Sequence, residues 1–121
     1  EKHGDWYDLK AAKDITTKYG FYYEIPLGVK MEIPEGYEAH VIARSSTFKN
    51  HHIIMTGAMG MIDNQYRKEW KFPALSMKDG TIEKGARIAQ FRLVKNQEPI
   101  MIEQVESVMD TGRGGLGSTG K

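Results

Sequence analysis

The 121-residue chain contains no cysteine, which excludes disulfides, thiolate nucleophiles and cysteine-ligated zinc or iron–sulfur centres. It has no apolar run near the roughly 20 residues a membrane-spanning helix needs, and no secretory leader pattern. Neither sign of charge is in excess. The formal net charge is +1, so nothing points to bulk binding of nucleic acid or of a membrane surface. A polyanionic ligand must therefore be held by a local cluster of cations. The lack of cysteine makes a reducing cytoplasm the simplest compartment. The chain opens at Glu1 without an initiator methionine, and the expectation is that an N-terminal segment is lacking. What remains is an ordinary globular composition, 40% hydrophobic and 27% charged, in a length that fits one domain with a modest core.

Helical windows are scarce and strand signals are frequent. Leu27, Val29, Met31 and Ile33 alternate with Gly28, Lys30 and Glu32, the period of a half-buried strand. Pro34-Glu35-Gly36 breaks the chain as a turn, and Glu38 to Arg44 reads as the returning strand. Further strands are predicted over His52 to Thr56, Glu69 to Leu75, Arg87 to Val94 and Ile100 to Val108. Pro73 cannot donate a backbone hydrogen bond, so its strand is expected at an edge or a bend. Asp79-Gly80 and Lys84-Gly85 mark turns around a short strand from Thr81 to Glu83, and Thr47 to Asn50 fits a single helical turn. There is no internal repeat and no linker. Many short strands punctuated by turns every 8 to 12 residues or so argue for an all-β sandwich or jelly roll.

The end of the chain is different in kind. Half of the residues from Gly112 to Lys121 are glycine, and glycine loses the most backbone entropy on ordering. The chain is therefore divided into a β domain, residues 1–109, and a tail, residues 110–121, expected to stay mobile until a ligand orders it. From Gly112 to Lys121 the backbone N–H groups, two hydroxyls and two cationic side chains suit phosphate oxygens; a terminus without a role is the competing reading. Gly115, Gly120 and Lys121 match most of a Walker A pattern. That motif needs a hydroxyl residue after the lysine and a helix facing the phosphates, and here the chain stops at the lysine.

Four internal features could carry chemistry. Arg44-Ser45-Ser46 follows a strand and can present a guanidinium fork and two hydroxyls to an oxyanion, although the tripeptide alone is common on surfaces. In Gly60-Met61-Ile62-Asp63-Asn64-Gln65-Tyr66 a carboxylate follows a strand, with an aromatic three residues on. Asp63 could form the turn, or activate a water beside bound phosphates. Arg87 and Gln90, three apart on a strand, are expected on opposite faces. His51 and His52 are adjacent with no third ligand nearby, which favours a surface or structural role over a metal pair.

Taken in order, the segments Asp8-Leu9-Lys10-Ala11-Ala12, Arg44-Ser45-Ser46, Gly60-Met61-Ile62-Asp63 with Tyr66, Gly85-Ala86-Arg87-Ile88-Ala89-Gln90 and Arg113 to Gly120 resemble the five sequential motifs of the trimeric dUTPase family. The resemblance runs the length of the chain. The phrase Pro34 to Val41 and the compact ending after Arg113 look like variants from Gram-positive bacteria and their phages. It implies a jelly-roll fold, a homotrimer with active sites at the subunit interfaces, and Mg²⁺-dependent hydrolysis of dUTP to dUMP and pyrophosphate. It also implies an N-terminal strand ahead of the first motif, in line with a lacking start, and a location in the bacterial host cytoplasm if the chain is phage-encoded.

Residue by residue, the resemblance implies Asp63 as the base that deprotonates the water attacking the α-phosphorus. Tyr66 would pack under the deoxyribose, and the backbone of the hairpin from Gly57 through Lys71, Gly60 included, would read the uracil. Arg44, Ser45 and Ser46 from a second subunit would bind phosphates, and Gln90 the α-phosphate. Asp8 would touch a water on Mg²⁺ and not the metal itself. Arg113, Gly117, Ser118 and Thr119 of a third subunit's tail would close over the triphosphate. The chemistry is coherent, because cations and oriented donors offset the charge that gathers on the phosphate oxygens.

Two positions depart from the family pattern. Ala86 stands where an aspartate is usual, and Leu116 where many members carry a phenylalanine that stacks over uracil. Trp70, in Glu69-Trp70-Lys71-Phe72-Pro73, is then a candidate base lid in place of that ring, against the plainer expectation that Trp70 and Phe72 share a core-facing side. Two functions compete with this one: a dCTP deaminase or bifunctional relative, for which Glu69 is the conceivable acid, and a fold-retaining protein that binds a regulatory partner. The Asp63–Tyr66 spacing favours the dUTPase.

Overall fold

The computed structural model describes residues 2–109, and the tail assignments Arg113, Leu116, Gly117, Ser118 and Thr119 lie outside the described residues. Ten strands and one short helix follow in order: β1 (Lys2–His3), β2 (Trp6–Lys10), β3 (Ile15–Thr17), β4 (Tyr22–Pro26), β5 (Tyr37–Ala43), α1 (Thr47–His51), β6 (Ile53–Met55), β7 (Gly60–Ile62), β8 (Lys71–Ser76), β9 (Gly80–Ile82) and β10 (Arg87–Lys95). They form a five-stranded sheet β1-β2-β10-β5-β7, a three-stranded sheet β4-β8-β6 and the pair β3-β9, with every pairing antiparallel. The all-β expectation holds. Among the described residues no helix is long and apolar enough to cross a membrane.

Alternation sets the layers. Ala39 and Val41 of β5 and Phe72 and Ala74 of β8 are buried, while the residues between them are more exposed. They meet Leu9, Ile25, Ile53, Ile82 and Ile88 in one core. Of the three turns read from glycine, the one at Asp79-Gly80 is a bend over residues 77–79 with Gly80 opening β9, and the other two need the left-handed backbone of their glycine. Tyr37 N–H bonds to Pro34 C=O at 3.1 Å around Gly36, φ +87°, and Ala86 N–H bonds to Glu83 C=O at 3.0 Å around Gly85, φ +91°. The Thr47 turn is present as α1.

Three strand expectations are corrected. Residues 27–33 keep their alternating burial, with Leu27 and Ile33 buried, but form no ladder. Isolated bonds from Leu27 N–H to Trp70 C=O and from Trp70 N–H to Val29 C=O hold the segment instead. Residues 100–108 are not a strand: Met101 and Ile102 are 97% and 83% exposed, because no edge within the described residues pairs with them. Pro73 sits mid-strand in β8, the central strand of its sheet. The position tolerates proline because the β6 ladder ends at Met55 opposite Ala74, while Pro73 C=O still accepts from Thr56 N–H at 2.9 Å.

Candidate active site

The residues singled out in the sequence gather into two groups. The first is cationic and lies where β2, β10 and the exit of β5 meet. Gln90 pairs across β10 with Asp8 on one side and Ile42 on the other. The Asp8 side chain is 1% exposed, with Arg44 Nε 3.1 Å from one oxygen and an Arg87 terminal nitrogen 3.6 Å from the other. Arg44 also donates to Ser46 Oγ at 3.5 Å and to Arg87 C=O at 3.3 Å.

Arg87 and Gln90 share a face, contrary to expectation. The β10–β2 register slips between Arg87 and Ala89, and such a bulge inserts one residue and reverses the phase beyond it. Arg87 pairs with Lys10 and Gln90 with Asp8; residues 8 and 10 of one strand point the same way, so their partners do too. Consecutive burial of Ile88 and Ala89, both at 0% exposure, marks the bulge. Nothing in the sequence announces it.

Thr47 was missed as a contributor. Its buried hydroxyl accepts from Arg44 N–H at 2.9 Å and donates to Ile88 C=O at 2.8 Å, fastening the Arg44–Ser46 turn to β10. Ser45 is exposed at the tip of that turn. Next along, burial lowers the His51 pKa, and the positive charge of Arg44 and then His52 lowers it further.

The second group is the hairpin after β7. Asp63 is exposed, and one of its oxygens accepts from Gln65 N–H at 2.9 Å, so it forms the turn as well as presenting a carboxylate. Tyr66 N–H bonds back to Asp63 C=O at 3.3 Å, and its hydroxyl donates to Glu69 C=O at 3.3 Å, which ties the ring across the loop. β7 pairs with β5 along one edge, and among the described residues its other edge has no strand partner. Beside it opens a cavity of about 370 Å³ lined by Gly60, Ile62, Tyr66, Trp70 and Lys71, with Glu24 on its rim.

Trp70 is not a lid. It is 1% exposed and meets Phe91 edge-on, with 5.2 Å between centroids and 87° between planes. Its indole is a wall of the cavity continuous with the core, as the shared burial of Trp70 and Phe72 requires. Glu69, the conceivable deaminase acid, accepts from Gly28 N–H at 3.0 Å and holds the 27–33 segment in place.

The two groups lie far apart within one chain. Ile62 pairs with Ala39, which sets Asp63 level with Glu38. From residue 38 to residue 44 a strand rises roughly 20 Å at about 3.3 Å per residue. The Arg44–Asp8–Arg87 cluster and Asp63 of the same chain therefore stand well apart.

The resemblance implies a magnesium ion. Among the described residues no group of three or more His, Asp or Glu side chains could hold a metal, and the Asp8 oxygens face two guanidinium groups.

Residues 6–120 match the family model for dUTPase. The chain is 48% identical to the SPbeta prophage-derived deoxyuridine 5'-triphosphate nucleotidohydrolase YosS of Bacillus subtilis (strain 168), over 98% of this chain and 86% of that one. The structure is similar to a Staphylococcus bacteriophage 80alpha dUTPase solved with dUpNHpp, with a TM-score of 0.76 and 23% identity over 98% of this chain and 89% of the other. It is also similar to a mutant dUTPase from phage phi11 of S. aureus, in a structure that bears on the coordination of a structural Mg(II) ion, with a TM-score of 0.74 and 21% identity over 88% of each chain.

Proposed function

The chain belongs to the dUTPase family and hydrolyses dUTP to dUMP and pyrophosphate, and we propose that it does so as a homotrimer whose active sites are shared between subunits. The separation of Asp63 from the arginine cluster carries this reading. Each half-site is well formed and chemically incomplete, and a closed ring of copies sets one chain's hairpin against the next chain's cations. The exposed apolar residues from Ile100 to Met109 give further surface for such an assembly.

In this arrangement the uracil enters the cavity beside β7, whose unpaired edge offers backbone N–H and C=O groups to the base. Tyr66 supports the deoxyribose. Asp63 takes a proton from the water that attacks the α-phosphorus, and pyrophosphate departs. Arg44, Ser45, Ser46 and Gln90 of the second subunit hold the phosphates where negative charge grows, the placement that lowers such barriers most. Arg113 and the tail of a third subunit complete the enclosure, with Leu116 as its apolar cover. Mg²⁺ belongs to the substrate in this reading, since it is commonly bound through phosphates while keeping several waters, and it offsets their charge. The likeness to a prophage-derived relative supports a bacterial host cytoplasm as the compartment.

The test is pyrophosphate release from dUTP, dTTP, UTP and dCTP, with and without Mg²⁺. Selective, magnesium-dependent turnover of dUTP is expected. Comparable turnover of dTTP, or ammonia from dCTP, overturns the proposal.

A further inference from the structure

The turn that carries Ser45 and Ser46 is closed by a side chain the proposed chemistry does not use. We infer that Thr47 is a positioning residue for the phosphates: its buried hydroxyl fixes the Arg44–Ser46 turn against the bulge of β10, and so sets Ser45 and Ser46 relative to Gln90. The inference rests on this cluster being the phosphate half-site.

Thr47 closes the turn from both sides. Its N–H donates to Arg44 C=O at 3.0 Å, and its Oγ1 accepts from Arg44 N–H at 2.9 Å. Ser45 and Ser46 are the two residues enclosed by these bonds, with Ser45 exposed at the tip. The same Oγ1 donates to Ile88 C=O at 2.8 Å. Ile88 is the residue the bulge sets aside. Against β2 the register passes from Arg87↔Lys10 to Ala89↔Leu9, and against β5 it begins at Ala89↔Ala43. A bulged residue must find backbone partners outside the ladder, and Thr47 supplies one. The preceding carbonyl, Arg87 C=O, accepts from the Arg44 guanidinium at 3.3 Å. The bulge also turns Gln90 to the face of Arg87. One hydroxyl therefore spans the turn that presents two serines and the bulge that aims Gln90. Thr47 is 1% exposed, so it acts through these neighbours and not by touching the substrate.

Groups that must meet one triphosphate from two segments are sensitive to small displacements, since a shift of about 1 Å can cost on the order of a hundredfold in rate. Thr47→Val keeps the shape and removes the hydroxyl, so Arg44 N–H and Ile88 C=O lose this partner. In the full-length protein it is expected to lower kcat/KM for dUTP by about ten- to a hundredfold, while inhibition by deoxyuridine, which has no phosphate, stays within about twofold. Thr47→Ser keeps the hydroxyl and loses only a buried methyl. It should restore dUTP turnover to near the wild-type value even where its thermal stability is lower. A side chain that matters for packing alone gives the opposite order, valine near wild type and serine impaired. That order overturns the inference, as does a parallel loss of dUTP turnover and deoxyuridine inhibition. If Thr47→Val does not fold, Thr47→Ser and Thr47→Ala decide, because they differ by one oxygen. Alanine is expected at least about tenfold below serine in kcat/KM, and equal kinetics contradict the role of the hydroxyl. Wild-type protein assayed in parallel separates the two readings: if it does not hydrolyse dUTP, the functional assignment falls; if it does, only the role of Thr47 is at stake.

Discussion

Replacing Trp70 by alanine should cost the folded protein about 3–5 kcal/mol, the usual range for deleting a fully buried large aromatic. The residue is 1% exposed, packs edge-on against Phe91 and sits next to the fully buried Phe72. Trp70→Phe is the informative partner. It removes roughly 40 Å³, worth about 1 kcal/mol at ~24 cal/mol per Å³ of cavity, plus about 1 kcal/mol of lost transfer energy. Against that, the indole Nε1–H is buried without an acceptor among the described residues. Such an orphaned donor burdens the fold by about 1–3 kcal/mol, and phenylalanine removes it. The two effects nearly cancel, so the change should lie within about 1 kcal/mol of zero. Urea unfolding followed by circular dichroism, at fixed protomer concentration because assembly shifts apparent stability, measures both variants. A loss below about 1 kcal/mol for Trp70→Ala, with KM for dUTP raised several-fold, would refute the reasoning and put the indole over the base. Phenylalanine as damaging as alanine would mean that Nε1 has a partner in the assembled protein.

Three further outcomes are expected. Asp63→Asn should fold and bind dUMP but slow turnover by several orders of magnitude, because the amide cannot accept the water's proton; single-turnover kinetics in a correctly folded variant check it, and near-normal rates remove Asp63 from the base role. Truncation after Met109 should leave a folded protein that binds dUMP and barely hydrolyses dUTP, since a glycine-rich tail adds little to a core while Arg113 adds a cation; gel filtration and pyrophosphate release decide. The His51 pKa is lowered from 6.5, so the unfolded chain binds a proton at pH values where the folded chain does not. Stability should therefore fall as pH drops below about 6.5; His51→Gln should flatten that limb of the pH–stability curve, and an unchanged curve excludes His51 as its source.

Much of this was legible in the sequence because strand alternation and turn glycine act locally. Tyr37 to Ala43 carries its alternating burial in its residue types, and Gly36 and Gly85 declare the turns. Hydrogen-bond partners are not local. Alternation over residues 27–33 records which side chains face the core but says nothing of a ladder, and 100–108 looks like a strand without an edge to join. Pro73 reads as an edge signal until the end of the β6 ladder is known. The early strands β2 and β4 escaped notice because Trp6 to Lys10 and Tyr22 to Pro26 mix aromatic and charged residues without clean alternation. At the site, the residue types were readable in order, whereas the bulge that unites Arg87 with Gln90, the Thr47 fastening and the burial of Asp8 arise from tertiary packing.

The central claim is that dUTP is hydrolysed where Asp63 of one copy meets Arg44 of another, and mixing two inactive proteins tests it. Asp63→Asn and Arg44→Gln variants are each purified, unfolded together in equal amounts and refolded. In a ring of copies a site is intact when its hairpin comes from the second variant and its arginine from the first, a chance of about one in four per site. Recovery of about a quarter of wild-type pyrophosphate release is expected from the mixture, with almost none from either variant alone. Mixed oligomers confirmed by mass spectrometry that recover no activity would place the whole site within one chain and contradict it.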